Sequence, residues 1–266
     1  MSKWTATKIK GMKGQQKISC LTAYDYTMAR LVDQAGIQLI LVGDSLAMTM
    51  LGYATTLPVT MEEMLHHTRA VVRGVREALV VADMPFMSYH VSPSQAVKNA
   101  GLFIKSAGAD AVKVDGGAFR VPTIRALVRN GIPVLGHIGL TPQSIRSMGG
   151  YKVQGRKPDD ALRLIEDAVA LEKAGVFAIV LECLPKALGK DITKAVGVPT
   201  IGIGAGAGCD GQILVIHDML GLQVEEAPKL TFVKRYANLG ATTSQALKKY
   251  RREVEKGIFP ANVHSF

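Results

Sequence analysis

The sequence predicts an α/β fold, a (β/α)8 TIM barrel with additional terminal helices, formed as a single domain over residues 1–266. The first observation is a series of short apolar runs without polar alternation, which is typical of strands buried on both faces of a parallel sheet. The second is that amphipathic helical stretches separate these runs at the spacing of consecutive βα units. Seven or eight such units suit one closed barrel of this length, with a doubly wound open sheet as the alternative fold.

Each predicted strand is an apolar run rich in Val, Ile and Leu. In chain order the runs are 18–23, 38–43, 79–82, 111–114, 133–136, 178–181 and 200–203, with 213–216 as the eighth candidate. Because the runs share this composition, we expect all of them in one parallel sheet.

Helical patterns separate the runs, and their ends carry clear signals. The patterns cover 61–72, 94–107, 121–128, 159–173 and 186–195, and residues 231–255 predict one or two extra helices. Thr60 with Glu63 three residues later predicts a capping box, and Ser92 followed by Pro93 predicts another helix start. Glycines that end helices just before strands are Gly36, Gly108, Gly131 and Gly175.

The composition excludes an intrinsically disordered chain and a disulfide scaffold. Apolar residues make up 48% of the chain, which is ample for a buried core. Cys20, Cys183 and Cys209 lie far apart and each adjoins an apolar run, so we expect buried, reduced thiols. The N-terminus lacks the apolar segment of a signal peptide, and no stretch has the length and composition of a membrane span. We therefore expect a cytoplasmic protein with no membrane partner.

A formal net charge of +10 raises the alternative of a nucleic-acid-binding protein. The densest basic run, at 248–252, shares a helical pattern with Glu253 and Glu255, which is typical of a solvated helix face. No aromatic platform for bases accompanies this run. We therefore expect no nucleic-acid partner and favour a small anionic substrate.

The most informative feature is a set of ionisable residues directly after the apolar runs. Its members are Asp44, Asp83, Asp115, Glu182 and His137. The strands of a parallel barrel all point the same way, so these side chains are expected to meet at one face. A single acid at such a place is commonly a helix cap, but clustered carboxylates repel one another unless a positive charge compensates. Oxygen ligands with few His or Cys indicate a hard divalent cation, Mg2+ rather than zinc.

Two other residues of this region have a functional and a structural interpretation. Lys113 interrupts an apolar strand, where a lysine is costly unless it is paired, and strand periodicity places it on the same side as Asp115. It either faces the barrel interior and binds an anion beside the metal, or reaches out from a strand edge. His137 either assists a proton transfer or makes a structural hydrogen bond at its strand end.

A glycine-rich string at 202–208 matches a dinucleotide-binding loop loosely. About sixty residues follow it, too few for a Rossmann sheet. Close backbone packing at the barrel mouth is therefore the favoured interpretation of these glycines.

Ten segments carry a resemblance to a known enzyme family and cover nearly the whole chain. They lie at 21–26, 41–45, 56–60, 82–87, 112–113 with 116–117, 136–143, 149–155, 181–183, 202–206 and 210–213. The segments GHIGLTPQ and GGYKVQG are long and specific. In these segments, which keep the family's order, the sequence closely resembles ketopantoate hydroxymethyltransferase.

The resemblance implies a (β/α)8 barrel with two small-molecule substrates. The implied reaction transfers a hydroxymethyl group from 5,10-methylenetetrahydrofolate to 3-methyl-2-oxobutanoate, which gives ketopantoate for pantothenate biosynthesis. It also implies a large homo-oligomer such as a decamer. A Mg2+-dependent lyase or aldolase of 2-oxo acids or phosphoenolpyruvate is the alternative function on the same barrel, because the same acids would serve it.

The resemblance also implies a role for each site residue. Asp44 and Asp83 match the family's Mg2+ ligands, and Asp115 falls where the family usually has a glutamate near the metal. Glu182 matches the general base that removes the C3 proton of the 2-oxo acid. The residues expected to bind this acid are Asp44, Ser45, Asp83 and Lys113.

Overall fold

Eight parallel strands form the centre of the computed structural model, which describes residues 3–150, 152–222 and 230–266. Their bounds are β1 Ile18–Thr22, β2 Leu39–Val42, β3 Leu79–Asp83, β4 Ala111–Asp115, β5 Val134–Gly139, β6 Ala178–Glu182, β7 Thr200–Ile203 and β8 Gly211–Leu214. The strands are hydrogen-bonded in chain order, and β8 pairs with β1 to close the barrel. The predicted (β/α)8 barrel is confirmed, and the open-sheet alternative is wrong.

Helices occupy most of the intervals between the strands. The α-helices are α1 Ala6–Gly11, α2 Tyr26–Gln34, α3 Leu46–Thr49, α4 Met61–Gly74, α5 Pro93–Leu102, α6 Val121–Arg129, α7 Ile145–Met148, α8 Pro158–Ala174, α9 Lys186–Ala195, α10 Ile216–Leu220 and α11 Leu239–Glu255. Short 3-10 turns lie at Ala118–Arg120, Pro142–Ser144 and Asn262–His264. Within the described residues, none of the helices has both the length and the apolar composition that crossing a bilayer requires.

The amino-terminal half of the barrel interior is a packed apolar core. Its strand residues include Ile18, Cys20, Leu39, Leu41, Leu79, Val81, Ala111, Leu135, Ala178, Val180, Ile201 and Ile213. Ile9 in α1 and Met12 just after it belong to the same cluster. Helix α1 therefore closes this end of the barrel, which leaves the carboxyl ends of the strands as the face that can receive a ligand.

The predicted helix ends are present. Thr60 N–H donates to Glu63 Oε2 at 2.8 Å, and Glu63 N–H donates to Thr60 Oγ1 at 3.2 Å, which completes the capping box. Ser92 Oγ accepts from Gln95 N–H at 3.1 Å. Gly36, Gly108, Gly131 and Gly175 all have positive φ angles after helices.

Strand β8 differs from its prediction because a glycine belongs to it. It begins at Gly211 and ends at Leu214, whereas the apolar run suggests 213–216. Gly211 pairs with Ile18 of β1 and Ile201 of β7, and a Cβ at this position would approach Ile18 O to 2.5 Å. Glycine, a residue typical of turns, is therefore required at position 211 inside the strand, because the backbone of Ile18 lies too close for a side chain.

Two helical patterns are also shorter than predicted. The pattern at 94–107 is α-helical only as far as Leu102 and continues as a π-helical turn over Phe103–Ala107. Ala109 N–H closes this wider turn by donating to Phe103 O at 3.0 Å. The pattern at 231–255 is helical only from Leu239 onward.

Asp33 anchors the chain just before β3. Its buried carboxylate accepts from three backbone N–H groups, those of Arg76 at 2.9 Å, Glu77 at 3.0 Å and Ala78 at 2.8 Å. Strand β3 begins at the next residue, so the end of helix α2 fixes the entry of the strand that carries Asp83 at its far end.

The chain divides into two compact units, Met1–Val215, which contains the barrel, and Ile216–Phe266, which contains α10 and α11. Helix α11 has no buried residue, and its ion pairs join Lys249 to Glu253 at 3.7 Å and Arg251 to Glu255 at 3.5 Å. The predicted solvated helix face is therefore confirmed, while a single domain over 1–266 stays a prediction.

All three cysteines are free thiols, as predicted. Cys20 and Cys209 are buried, but Cys183 is only partly buried because it follows Glu182 at the barrel mouth. Burial, reinforced by the Glu182 carboxylate, raises the pKa of the Cys183 thiol to about 12, so this thiol stays protonated at neutral pH.

Candidate active site

The ionisable side chains predicted to meet at one face lie at the carboxyl ends of β2 to β6. Asp83, Asp115 and Glu182 are the last residues of β3, β4 and β6, and Asp44 follows β2. In the strand register Asp83 lies beside Lys113, and Asp115 lies beside His137. The predicted convergence is confirmed as a continuous chain of contacts.

Lys113 lies among the carboxylates at the centre of this cluster. Its Nζ is 2.9 Å from Asp83 Oδ1 and donates a hydrogen bond to Asp115 Oδ1. The side chain is only 4% exposed, so it faces the barrel interior and the strand-edge interpretation is wrong. Burial alone would lower the pKa of Lys113, but Asp115, Asp83 and Asp44 together raise it well above its ordinary value. The ammonium group is therefore charged.

His137 joins Asp115 to Glu182. Its Nδ1 is 2.8 Å from Asp115 Oδ1, and its Nε2 is 3.3 Å from Glu182 Oε2. Burial alone would lower the pKa of His137, but the Asp115 carboxylate raises it, to about 9. The protonated ring donates to Asp115, so His137 makes the structural hydrogen bond that is one of its two predicted roles. The other role, a proton transfer by His137, stays a prediction.

Asp115 is the carboxylate that both cations hold. Burial would raise its pKa, but Lys113 and His137 outweigh that effect and lower the pKa below its ordinary value. Its Oδ1 contacts both cations, whereas its Oδ2 is buried and has no hydrogen-bond partner in the described part of the chain. Asp115 is therefore an ionised carboxylate with one oxygen left for a further cation.

Asp44 and Asp83 form a close pair of buried acids. Asp44 N–H donates to Asp83 Oδ2 at 3.1 Å, which holds the two residues together. Burial, reinforced by the Asp83 carboxylate, raises the pKa of Asp44 well above its ordinary value. Burial also raises the pKa of Asp83, although Lys113 opposes the shift. Both acids would become easier to ionise if another positive charge lay beside them.

The charges of this cluster leave room for one divalent cation. Four ionised carboxylates would meet two cations, the Lys113 ammonium and the His137 imidazolium, which leaves two negative charges uncompensated. Among residues 3–150, 152–222 and 230–266, no three His, Cys, Asp or Glu side chains form a ready-made metal-binding group. Mg2+ is commonly held by only one or two carboxylates, with water and substrate oxygens completing its shell. The Asp44 and Asp83 pair fits such a site.

Ser45 lies beside the acids at the start of α3. Its Oγ is 2.8 Å from the hydroxyl of Tyr24, a fully buried residue at the end of the first βα loop. This contact holds the Ser45 side chain in place next to Asp44. The binding of a 2-oxo acid by Ser45 stays a prediction.

Gln143 and Tyr89 are buried parts of this site that the sequence analysis does not single out. Gln143 Nε2 donates to Asp44 Oδ2 at 3.1 Å and to Met84 O at 2.9 Å. Its Oε1 accepts from the Tyr89 hydroxyl at 2.8 Å, and that hydroxyl accepts from Asp115 N–H at 3.3 Å. The one signal in the sequence is the place of Gln143 in a specific segment, GHIGLTPQ, which does not reveal its contact with an acid far away in the chain.

The glycine string after β7 packs against helix α9. A Cβ at Gly206 would lie 2.7 Å from the Cβ of Lys186, and one at Gly208 would lie 2.9 Å from the Cβ of Lys190. On the helix side, a Cβ at Gly189 would lie 2.3 Å from Ala205 O. The predicted close backbone packing is therefore confirmed.

Sequence comparison finds a family model and relatives that match nearly the whole chain. A family model described as ketopantoate hydroxymethyltransferase matches residues 3–262. The 3-methyl-2-oxobutanoate hydroxymethyltransferase of Moorella thermoacetica is 56% identical over 266 residues, which cover 100% of this chain and 98% of the relative. The enzyme of the same name from Nitratidesulfovibrio vulgaris is 55% identical over 262 residues, which cover 98% of this chain and 85% of the relative.

Solved structures show the same barrel at low sequence identity. A phosphonopyruvate hydrolase in complex with oxalate and Mg2+ has a TM-score of 0.63 and 14% identity, covering 99% of this chain and 93% of that one. A 2,3-dimethylmalate lyase of the PEP mutase/isocitrate lyase superfamily has a TM-score of 0.60 and 16% identity, covering 98% and 91%. At this identity the likeness concerns the fold alone.

We expect Lys113→Met to lower the free energy of unfolding by about 3–5 kcal/mol, because it leaves buried carboxylates without their central cation. The matched control is Lys3→Met, which removes an ion pair to Asp110 at 2.6 Å from a lysine side chain that is 44% exposed. The control should cost less than about 1 kcal/mol. Urea denaturation at neutral pH measures both, and equal losses would show that the Lys113 ammonium does not stabilise the cluster.

Proposed function

Since the chain belongs to the ketopantoate hydroxymethyltransferase family, we propose that it transfers a hydroxymethyl group from 5,10-methylenetetrahydrofolate to 3-methyl-2-oxobutanoate and so forms ketopantoate for pantothenate biosynthesis. One observation carries the proposal: carboxylates from four βα units form one cluster with a buried, charged lysine at the mouth of the barrel. The reaction removes a proton from a weakly acidic carbon and must stabilise the negative charge that results. Buried acids, a cation and a more exposed carboxylate meet both needs.

Asp44 and Asp83 are the proposed ligands of Mg2+, with Asp115 as a third contact. When bound, Mg2+ supplies a Lewis acid for the keto oxygen of the 2-oxo acid. The raised pKa values of the two buried acids and the unpartnered Oδ2 of Asp115 support a cation at this place. Asp115 is one methylene shorter than the glutamate usual in the family, so its carboxylate extends less far toward the ion.

Lys113 holds the anionic substrate. An ammonium group has three N–H donors, and Asp83 and Asp115 take two of them. His137 Nδ1 lies 3.2 Å from Nζ, but in the protonated ring it cannot accept a hydrogen bond. The third N–H can therefore serve the carboxylate of the 2-oxo acid, or its keto oxygen as that oxygen becomes negative. Ser45, held by Tyr24, offers the same acid a second polar contact.

Glu182 removes the C3 proton. Its side chain is 16% exposed, against 2% for Asp83 and 3% for Asp115, so a substrate entering the mouth can reach it. Glu182 ends β6, whereas the metal acids follow β2 and end β3, so the base can face the substrate carbon while they face its oxygens. The charged ring of His137 lies close to this carboxylate, with Nε2 at 3.3 Å from Oε2.

A Mg2+-dependent lyase or aldolase is the second candidate function. The fold likeness to 2,3-dimethylmalate lyase and phosphonopyruvate hydrolase fits this alternative but does not favour it, because the shared barrel says nothing about the substrate. The two functions differ in one requirement, since only the hydroxymethyl transfer consumes a folate.

We also propose that the protein acts in the cytoplasm as a large homo-oligomer, with no nucleic acid as a partner. The family resemblance supports the oligomer, and the reduced cysteines are consistent with a reducing compartment.

The proposed function predicts that the protein makes ketopantoate from 3-methyl-2-oxobutanoate only when methylenetetrahydrofolate and a divalent cation are both present. Product formation is measured by chromatography with and without the folate, and with and without EDTA. Turnover of the 2-oxo acid that continues without the folate would favour the lyase or aldolase instead.

Asp83→Asn should lower kcat/KM about a thousandfold, which corresponds to about 4 kcal/mol, because a neutral amide is a poor ligand for Mg2+. Mg2+ binding, measured by calorimetry on the same variant, should be lost with it. Asp159→Asn, at the exposed start of α8, is the control and should change neither quantity. Retained turnover at ordinary Mg2+ concentrations would count against the two-aspartate site.

Glu182→Gln should bind the 2-oxo acid but lose exchange of its C3 proton with solvent by about 100- to 10,000-fold, because the amide cannot accept the proton. Deuterium uptake from D2O, followed by NMR, measures this step without the folate. Glu166→Gln, an exposed position on α8, is the control. Near-normal deuterium uptake in Glu182→Gln would remove Glu182 as the base.

A further inference from the structure

A cavity of about 250 Å3 lies beside the active site, between the loops after β4 and β5 and the helix α8. Its apolar lining includes Ile138, Met148 and Leu164. Thr141, Gln154 and Asp167 supply polar groups. None of these six residues has a role in the chemistry described above.

The cavity is held next to the proposed base by backbone hydrogen bonds. Gly139, in its lining, lies beside Glu182 in the strand register, and Leu140 N–H donates to Glu182 O at 2.9 Å. Gln154 N–H donates to Cys183 O at 2.9 Å. A molecule in the cavity would therefore be fixed with respect to Glu182 and to the substrate carbon that Glu182 deprotonates.

Asp167 presents a carboxylate to this cavity from helix α8. Its Oδ1 accepts from Ala118 N–H at 2.6 Å, the one hydrogen bond found for this side chain among the described residues. A Cβ at Gly117 would lie 2.1 Å from Asp167 Cγ, so the carboxylate approaches the loop only because position 117 has no side chain. One hydrogen bond uses a small part of the capacity of a carboxylate, which can accept about four.

We propose that this cavity binds the pterin ring of the reduced folate, with Asp167 accepting hydrogen bonds from the 2-amino group and the N3–H of the ring. The inference rests on the proposed function and assigns to its second substrate a binding site of its own. Two adjacent donors on one edge of the pterin match the two oxygens of one carboxylate, and hydrogen bonds to a charged acceptor are the stronger ones.

The size and lining of the cavity agree with a flat bicyclic ring. Sites for whole drug-sized ligands are about 300–1,000 Å3, so a cavity of about 250 Å3 suits a ring system whose tail remains outside. Apolar side chains with a few well-placed polar groups are typical of such sites. Arg163, which also lines the cavity and is largely exposed, places a positive charge where the carboxylates of the folate tail would emerge.

The decisive variant is Asp167→Asn in the full-length protein. The asparagine oxygen can still accept from Ala118 N–H, so the loop is kept, but its amide group presents a donor where the pterin also has donors. We expect KM for methylenetetrahydrofolate to rise roughly ten- to hundredfold while KM for the 2-oxo acid is unchanged. Asp159→Asn, an exposed acid on the same helix, is the control and should change neither constant.

A second variant tests the cavity without touching Asp167. Ser147→Phe places a ring in the space from an exposed position of its lining, so it should raise the same KM and leave C3 proton exchange intact. Tetrahydrofolate binding, measured by calorimetry, should weaken in both variants by a similar factor, and thermal denaturation shows that each is folded. Unchanged folate constants in folded Asp167→Asn and Ser147→Phe would overturn the inference.

The same measurements separate this inference from the proposed function. Wild-type protein that makes ketopantoate while both variants keep normal folate constants overturns the cavity assignment alone. A second outcome is that the wild-type protein binds tetrahydrofolate but makes no ketopantoate, and that Asp167→Asn abolishes the binding. This outcome supports the cavity assignment and overturns the proposed function. Wild-type protein that does not bind tetrahydrofolate overturns both.

Discussion

The buried ammonium group of Lys113 is the interaction on which the rest of the site depends. It is in contact with Asp83 and Asp115, and Asp115 in turn holds His137. Removal of several carboxylates from water would be prohibitive without a cation among them. One lysine and one imidazolium compensate part of the negative charge and leave the rest uncompensated, which is the reason that the proposed function places a cation here.

The apolar core and the charged cluster lie at opposite ends of the barrel axis. At the amino-terminal end, helix α1 and the inward-facing Val, Leu and Ile side chains form a close-packed apolar core. At the other end the same inward-facing positions carry charge, as Lys113 and Asp115 do two and four residues after Ala111 in β4. Asp33 connects the two ends of β3. Its hydrogen bonds fix the start of the strand, and the strand in turn fixes the position of Asp83 at its other end.

Much of this arrangement could be predicted from the sequence because all strands of a parallel barrel point the same way. A residue that follows a strand in the chain therefore lies at the same end of the barrel as the residues that follow the other strands. Apolar runs followed by Asp44, Asp83, Asp115 and Glu182 are enough to place four acids at one mouth, and strand periodicity is enough to turn Lys113 inward. Their chemical roles and the metal are beyond what the fold alone decides, and they stay with the proposed function.

The contacts that the sequence does not reveal are those between loops. Gln143 reaches Asp44 across a separation of 99 residues, and no spacing rule connects the two positions. The start of β8 at Gly211 could not be predicted for another reason. Glycine is a weak strand former, and it is required here only because Ile18 approaches closely when the barrel closes. Periodicity describes each strand by itself, whereas these features arise from neighbours.

The hydrogen bonds around Gln143 have a direction. Asp115 N–H donates to the Tyr89 hydroxyl, the hydroxyl donates to Gln143 Oε1, and the amide of Gln143 donates to Asp44. Hydrogen bonds aligned head to tail polarise one another, so negative charge at Asp44 strengthens every donor behind it. These three hydrogen bonds therefore couple the two strands electrostatically. A change in the ionisation of Asp44, after β2, alters the polarisation of the Asp115 N–H group in β4 without the movement of any atom between them.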